Sequence, residues 1–319
     1  MSGLLRGLFS AAAAGADVPA VIASNFTFDE VYLGLCEGDE LDNEITTLVK
    51  QVIEDYRCAD LLVRLPGAIR TPSFEESETL VPIIPALTLP DGRVQLPHIS
   101  LSVVPSSKPT SFERCIVDVP LVVRKSRTSR DKILENLRIP PEVYKTHRIL
   151  LLSFGGQTLR KAVNWDEHPL PPNWICILCG TPDDELPSRF YRAPRDAYIP
   201  DLTNAADVVL GKLGYGTCSE CIAHDTPMIY VPRPQFIEEY GLLKMMQDHG
   251  SVLELKREDF EAGRWADTIE KAADMLGVCH VSHGGGQVIA EIIEQFVGEW
   301  KERNGYDLSA PPAQDRITQ

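Results

Sequence analysis

The feature that most constrains this chain is a short apolar run that ends in a glycine-rich turn. Residues 208–210 have the character of a buried strand, and the turn at 211–216 follows directly. Thr217 is a suitable N-cap for the next helix, with Ser219 and Glu220 in its first turn. This arrangement is how α/β proteins hold phosphate, because glycines admit the backbone and the free amides attract an anion. From the residues alone, a nucleotide site and an ordinary strand-to-helix turn explain the segment equally well.

A second glycine turn, Gly155-Gly156-Gln157, follows a near-continuous apolar run at residues 149–154. Such a run is typical of a strand with both faces covered, as in a parallel sheet. The two turns would then lie on one edge of the sheet, which favours a shared ligand site. Lys212 lies within the first turn and could neutralise a phosphate, although an ordinary surface lysine explains it equally well.

Strands and helices alternate along much of the chain, and residues 44–57 follow the spacing of an amphipathic helix. The apolar runs of the second half are at residues 149–154, 175–178, 208–210, 228–231 and 252–255. Between residues 68 and 115 prolines and serines recur instead. Prolines at this density leave little room for regular helices, and one short hairpin is expected around Pro90-Asp91-Gly92. The pattern as a whole predicts an α/β protein with a parallel, doubly wound sheet.

The charge balance narrows the classes of partner. Acidic residues outnumber basic ones by 46 to 31, and the formal net charge of −15 argues against nonspecific binding to nucleic acid or to anionic membranes. No apolar run approaches the roughly 20 residues that span a bilayer. The N-terminus also lacks the longer apolar core of a signal peptide. We therefore expect a cytoplasmic protein without a transmembrane segment.

Two C-x-x-C pairs, Cys176 with Cys179 and Cys218 with Cys221, raise the question of a metal site. The gap between the pairs is much longer than the roughly 15–20 residues that zinc ribbons use. Cys176 and Cys179 also fall on an expected strand, where residues three apart point to opposite faces. We therefore expect buried thiols and no metal ligands.

The segment Gly214-Tyr215-Gly216-Thr217-Cys218-Ser219-Glu220 resembles the donor-site segment of GT-B glycosyltransferases. The similarity is greatest to the group that includes the N-acetylglucosaminyltransferase of peptidoglycan synthesis. The resemblance implies a metal-free nucleotide-sugar site in which Glu220 binds the ribose hydroxyls and Glu238-Glu239 contact the donor sugar. It also implies that Tyr198 lines the uracil pocket and that the turn at 155–157 faces the diphosphate. The implied donor-binding residues are Gly155, Gly156, Gln157, Tyr198, Lys212, Gly214, Gly216, Thr217, Ser219, Glu220, Glu238 and Glu239.

A second resemblance covers most of the chain, from about Ala11 to about Phe296. The chain is similar to the glycosyltransferase-like N-terminal region of L-arabinokinases. The segments that carry this similarity are residues 24–29, 62–67, 118–124, 154–157, 170–174, 210–217 and 284–286. The family's glycine- and histidine-rich opening segment has no counterpart here, and neither does its sugar-kinase half with the kinase phosphate loop. Kinase activity is therefore not expected of this sequence.

These resemblances imply four regions in the chain. They are a remnant of the N-terminal GT-B domain at 1–67, the insertion at 68–115, a nucleotide-sugar-binding C-terminal GT-B domain at 116–303, and a polar tail at 304–319. The implied function is transfer of a hexose from a nucleotide sugar, with uridine diphosphate as the expected carrier. A noncatalytic nucleotide-sugar-binding module and a truncated form of a larger L-arabinokinase-like protein stay open.

The resemblance gives no candidate for the catalytic base, because the segment that should supply it is missing. We therefore expect this sequence to bind nucleotide without efficient transfer, unless a second copy or a partner domain supplies the acceptor wall. Positioning of an acceptor can contribute several kcal/mol of the barrier, so its loss would be severe.

Overall fold

The computed structural model describes residues 2–34, 43–75, 83–85, 87–88, 94–95, 114–154, 169–180, 186–234, 236–275 and 281–305. They divide into two compact units. The first unit falls within Met1–Leu65, Arg70–Val119 and Gly285–Gln319, and the second within Pro66–Ile69 and Pro120–Gly284. None of the described helices is both long enough and apolar enough to cross a lipid bilayer.

The first unit is a parallel four-stranded sheet with helices. Its elements up to residue 119 are α1 (Ser2–Gly15), β1 (Val21–Ser24), α2 (Phe28–Gly34), α3 (Asn43–Arg57), β2 (Leu61–Arg64), α4 (Pro72–Glu75), β3 (Ile83–Pro85), β4 (Leu87–Thr88), β5 (Val94–Gln95) and β6 (Cys115–Asp118). The sheet has the order β1-β2-β6-β3, and every neighbouring pair is parallel. The antiparallel pairing of β4 with β5 confirms the hairpin that the sequence predicted around Pro90-Asp91-Gly92.

The second unit is a parallel six-stranded sheet with helices on both faces. Its elements are α5 (Arg130–Asn136), α6 (Pro141–Tyr144), β7 (Arg148–Ser153), β8 (Trp174–Leu178), β9 (Phe190–Arg192), α7 (Ile199–Ala205), β10 (Val208–Gly211), α8 (Tyr215–Ala223), β11 (Met228–Tyr230), α9 (Glu238–His249), β12 (Val252–Glu254), α10 (Arg257–Glu261) and α11 (Ala266–Ala273). The last helix, α12 (Gly285–Arg303), belongs to the first unit.

Alternate residues of each central strand of the second sheet enter different cores. Leu151 and Val209 pack in a core that includes side chains of α7, α8 and α9. Leu150 and Leu210 pack on the other face, in a core that includes Trp265 of the segment between α10 and α11. Because both faces are covered, the strands are apolar throughout, which confirms the predicted doubly wound parallel sheet.

The strand order of the second sheet reverses at one point. The order is β12-β11-β10-β7-β8-β9, so the chain moves outward from β7 in one direction and later outward from β10 in the other. Open α/β sheets bind ligands in the crevice at the carboxyl ends of the strands where such a reversal occurs. The turns that follow β7 and β10 therefore start at this reversal.

The boundaries between the units differ from the predicted regions 1–67, 68–115 and 116–303. Strand β6 was assigned to the C-terminal domain, but it pairs with β2 and lies in the first sheet. Likewise α12 was assigned to that domain, yet its Ile292 and Phe296 pack against Val63 and Val117 of the first sheet. The sequence was misleading because parallel strands need long crossovers, and pairing between distant segments leaves no local signal. The polar tail from residue 306 onward lies outside the described residues.

Candidate functional site

The turn after β10 begins at a position where only glycine fits. Gly211 pairs with Ser153 of β7 in parallel register. A Cβ atom built on Gly211 would collide with the backbone carbonyl oxygen of Ser153. The two strand ends at the reversal therefore approach each other without an intervening side chain, which fixes where the turn starts.

Helix α8 starts earlier than the sequence predicted. It begins at Tyr215 with Gly214 as the N-cap, and the amide of Cys218 donates to the carbonyl oxygen of Gly214 at 2.9 Å. The prediction of Thr217 as N-cap is therefore wrong, since Thr217 is already the third residue of the helix. Glu220 lies in the second turn instead of the first, because the extended Gly214 ends the loop.

The start of α8 is open on the side of its glycines, as far as the described residues go. A Cβ atom built on Gly214, or one built on Gly216, would meet no heavy atom of those residues within 4 Å. The first amides of an α-helix have no acceptor within the helix, and the helix dipole places partial positive charge there. An anion can approach a backbone closely where glycines leave room and where the amides have no other acceptor.

Arg233, which the sequence analysis did not single out, joins the turn to the start of α9. Its guanidinium donates to the carbonyl oxygen of Leu213 and, at 3.1 Å, to the carboxylate of Glu239. Arg233 and Glu239 are both largely buried, with 14% and 12% of their side chains exposed. Burial raises the pKa of Glu239, and its hydrogen bonds to Arg233 oppose that rise. Glu239 is thus held by the protein itself.

Lys212 lies beside this arginine. Burial lowers the pKa of Lys212, repulsion from Arg233 lowers it further, and attraction to Glu238 opposes the shift. Arg233 is already paired with Glu239, so Lys212 is the cation that this group adds near the start of the helix, with Glu238 close to it. The structure therefore brings Lys212 and Glu238 to one place with the start of α8.

Glu220 is engaged by Arg124 instead of facing solvent. Its Oε1 accepts from the Nε of Arg124 at 3.1 Å and from Nη2 at 2.6 Å. Only 2% of the Glu220 side chain is exposed, against 61% of the Arg124 side chain. Burial raises the pKa of Glu220, and the hydrogen bonds and charge of Arg124 oppose the rise. The candidate ribose-binding carboxylate is thus balanced between burial, which disfavours its charge, and one arginine, which favours it.

Tyr198 lies just before α7 and contacts the same arginine-containing segment. Its hydroxyl donates to the carbonyl oxygen of Lys125 at 3.2 Å. The guanidinium carbon of Arg127 lies 4.7 Å from the centre of its ring, and that of Arg124 lies 5.9 Å away. The ring is therefore held next to Glu220 by a shared arginine, a cation–π arrangement worth about 0.5–1 kcal/mol at exposed sites.

Of the other predicted site residues, Ser219 has a role inside the helix, and the three residues of the second glycine turn lie outside the described residues. The hydroxyl of Ser219 donates to the carbonyl oxygen of Gly216 at 3.0 Å, and Ser219 is buried. The second glycine turn, Gly155-Gly156-Gln157, lies outside the described residues, which end at residue 154 on this side. Only the strand that leads to that turn, β7, can be placed.

The cysteines pack as the sequence predicted. Cys176 belongs to one core and Cys179 packs against the other, so the two thiols lie on opposite faces of the sheet. Cys218 and Cys221 are buried in the core beneath α8, where burial raises the pKa of Cys218 to about 12. Within the described ranges, no group of three or more histidine, cysteine, aspartate or glutamate side chains could hold a metal ion.

In comparisons with known proteins, no family model matches the chain. The chain is 30% identical to an L-arabinokinase of Arabidopsis thaliana over 285 residues, which is 89% of this chain. It is 33% identical over 104 residues to the UDP-N-acetylglucosamine–N-acetylmuramyl-(pentapeptide) pyrophosphoryl-undecaprenol N-acetylglucosamine transferase of Frankia casuarinae. That second match covers 28% of this chain.

The chain spans only about a quarter of the length of these curated relatives, 23% of the first and 27% of the second. Among solved structures, the calicheamicin glycosyltransferase CalG4 superposes with a TM-score of 0.50 at 17% identity. That match covers 90% of this chain and 71% of CalG4. At such low identity it shows the fold alone. The parallel sheets and this match together show a Rossmann-like, glycosyltransferase-like GT-B fold.

Proposed function

We propose that this GT-B chain binds a nucleotide sugar, with uridine diphosphate as the carrier, for transfer of a hexose. The site is the crevice at the carboxyl ends of β7 and β10. One observation supports the proposal more strongly than the others. The helix that starts at this reversal of strand order opens with Gly214 and Gly216 next to unoccupied space.

The diphosphate is bound at the start of α8. Unpaired amides and the helix dipole supply fixed partial charges, and Lys212 supplies a full positive charge nearby. These groups need no reorganisation when charge develops on a diphosphate leaving group, which is how preorganised electrostatics lowers a barrier. Because backbone and lysine carry this role, the proposal includes no metal ion. The sequence also implies a diphosphate contact at Gly155-Gly156-Gln157, which lie outside the described residues.

The ribose is bound by Glu220, whose carboxylate accepts from the vicinal hydroxyls. In the structure the Glu220 carboxylate is bonded to Arg124, so the nucleoside must displace that guanidinium or share the carboxylate with it. Arg124 is mostly exposed and can turn away, provided that the ribose hydroxyls take its place at the buried carboxylate. The base packs by Tyr198, and Glu238-Glu239 contact the sugar.

A noncatalytic binding module is the second candidate, and the same ion pair favours it. Glu220 already has a charged partner and is almost fully buried, as a carboxylate with a purely structural role would be. In that case the chain binds a nucleotide sugar at the glycine turn without transferring it, and Glu220 does not contact the ribose. The two candidates differ in whether removal of Arg124 helps or harms nucleotide binding.

Calorimetric titration with UDP, UDP-glucose and UDP-N-acetylglucosamine tests the proposal, with ADP as the comparison for the base. We expect saturable heat with the uridine compounds and weaker heat with ADP. Arg124→Gln should bind UDP more tightly than the unmodified chain, because the carboxylate no longer needs to exchange partners. Arg130→Gln is the matched control, since it breaks an arginine–carboxylate pair, with Asp207, on the same segment.

Two outcomes of this titration would count against the proposal. Absence of heat with every uridine compound up to millimolar concentration would refute nucleotide binding. Equal or weaker UDP binding by Arg124→Gln, with the control unchanged, would favour the structural role of Glu220. Incubation with radiolabelled UDP-sugars and candidate acceptors then separates transfer from binding, because release of UDP without glycoside indicates hydrolysis alone.

A further inference from the structure

A short basic segment of the second unit stands out in this acidic chain. Residues 124–130 contain four basic side chains and no acidic one, whereas acidic residues outnumber basic ones by 46 to 31 in the whole chain. The four are Arg124, Lys125, Arg127 and Arg130. Like charges so close in sequence repel each other, so each needs either a partner or exposure to water.

Two of these four charges are neutralised within the protein. Arg124 pairs with Glu220 at 2.6 Å, and Arg130 pairs with Asp207 at 2.8 Å. Lys125 and Arg127 form no ion pair with any carboxylate of the described residues, and the ring of Tyr198 lies beside Arg127. Within that part of the chain, two cationic side chains of this segment are therefore without an ion-pair partner.

The backbone of this segment is held in place by side chains of α7 and α8. The amides of Arg127 and Thr128 donate to Oδ1 of Asp201 at 2.6 and 3.1 Å. The amide of Ser126 donates to Nε2 of His224 at 3.1 Å. Burial raises the pKa of Asp201 but these hydrogen bonds outweigh it, so the net shift is downward and the carboxylate stays ionised. Lys125 and Arg127 thus extend from a fixed backbone.

Both charges line a cavity of about 440 Å³. Its wall consists of Lys125, Ser126, Arg127, Thr128, Asn204, Ala223, His224 and His283. Apart from Ala223, every lining side chain is polar or basic, and no carboxylate is among them. A cavity of this size has room for a phosphate together with a small sugar.

The cavity lies at the opposite end of α8 from the glycine turn. His224 is the residue that ends the helix, whereas the turn precedes Tyr215. Nine helical residues separate the two ends by about 12 Å along the axis, at about 1.5 Å per residue. The end of a helix carries a partial negative charge of about one half, which disfavours an anion. Lys125 and Arg127 supply two full positive charges at the wall, against this half charge, the ionised Asp201 behind the segment and Asp225, which acts on His283.

We propose that this cavity is a second anion site, which binds a phosphorylated small molecule through Lys125 and Arg127. A phosphate monoester fits better than a carboxylate, because its two negative charges match the two uncompensated cations. Its three terminal oxygens can also accept from the planar guanidinium and from the ammonium at once. Asn204 and Ser126 add polar groups at the same wall. This inference does not depend on nucleotide binding at the other end of α8.

Titration with inorganic phosphate and with glucose 1-phosphate at constant ionic strength tests the site, followed by phosphorus NMR or calorimetry. The test variant is the double substitution Lys125→Gln with Arg127→Gln. Both residues are exposed, so the fold should persist. The matched control is Lys256→Gln with Lys271→Gln, which removes two exposed charges elsewhere on the second unit.

We expect saturable binding with a millimolar Kd by the unmodified chain and by the control, and at least tenfold weaker binding by the test variant. Tenfold corresponds to about 1.4 kcal/mol. The site is refuted if the test variant and control bind equally, or if phosphate fails to saturate in the tens of millimolar. Repeating the titration with excess UDP tests whether the site is distinct from the nucleotide site, because Arg127 contacts the ring of Tyr198. Unchanged phosphate affinity supports a distinct site, and loss of phosphate binding refutes one.

Discussion

The two ends of α8 recognise charge by different means. At its start, Gly214 and Gly216 have no side chains, so the space beside the backbone amides is empty. At its other end, His224 and the cations Lys125 and Arg127 surround a cavity with side chains. Anion binding at the first end depends on backbone geometry, which the fold fixes. Anion binding at the second end depends on side chains, which can be substituted one at a time. A substitution at Gly211, where the turn begins, should therefore affect the fold, whereas substitutions of Lys125 or Arg127 should affect only charge.

The strongest test of this contrast is Gly211→Ala. The added Cβ meets the carbonyl oxygen of Ser153 between two central strands, and neither strand can move away without breaking the ladder. Overpacking of a core costs about 1–3 kcal/mol, and a backbone contact leaves little room for relief. Urea unfolding should report a loss of at least that size. Gly216→Ala is the control, because its Cβ meets nothing within 4 Å and a helix favours alanine. Equal stability of both variants would contradict the argument.

A smaller effect is expected on nucleotide binding when Glu220 is substituted. Glu220→Gln keeps the shape of the side chain but removes the charge that strengthens hydrogen bonds to ribose hydroxyls. UDP affinity should fall about tenfold, or about 1.4 kcal/mol, in a calorimetric titration. Glu258→Gln, an exposed substitution on α10, should leave the affinity unchanged. If Glu220→Gln also leaves it unchanged, the role of Glu220 is to hold Arg124.

The smallest effect on stability is expected for His283, which lines the cavity at the C-terminal end of α8. Burial lowers its pKa below the usual 6.5, repulsion from Lys125 and His224 lowers it further, and Asp225 opposes the shift. A lowered folded-state pKa means that stability is lost as the pH falls from above 6.5 through the folded-state value. His283→Gln should lose less free energy of unfolding over that range than the unmodified chain does, in denaturant titrations at several pH values. A loss of equal size in both would show that other groups set this dependence.

The sequence predicted the second unit better than the first. Residues 149–154 and 208–210 are apolar throughout because both faces of their strands are covered, and β7 and β10 lie there. The pairing of β6 with β2 joins residues about fifty positions apart, and no local pattern specifies it. The same limit applies to the site, since Arg124 and Glu220 are 96 positions apart. Gly211 and the turn were recognisable from the sequence, whereas the arginines that hold the carboxylates were not.

The place of α12 in the chain has a consequence for synthesis. The helix covers one face of the first sheet through Val288, Ile292 and Phe296, yet it is translated after the whole of the second unit. The second unit occupies a nearly continuous stretch, Pro120–Gly284, and can complete its sheet as soon as that stretch leaves the ribosome. The first sheet, although made earlier, must keep an apolar face uncovered until α12 emerges. The unit whose strands are made first is therefore the unit that can finish folding only last.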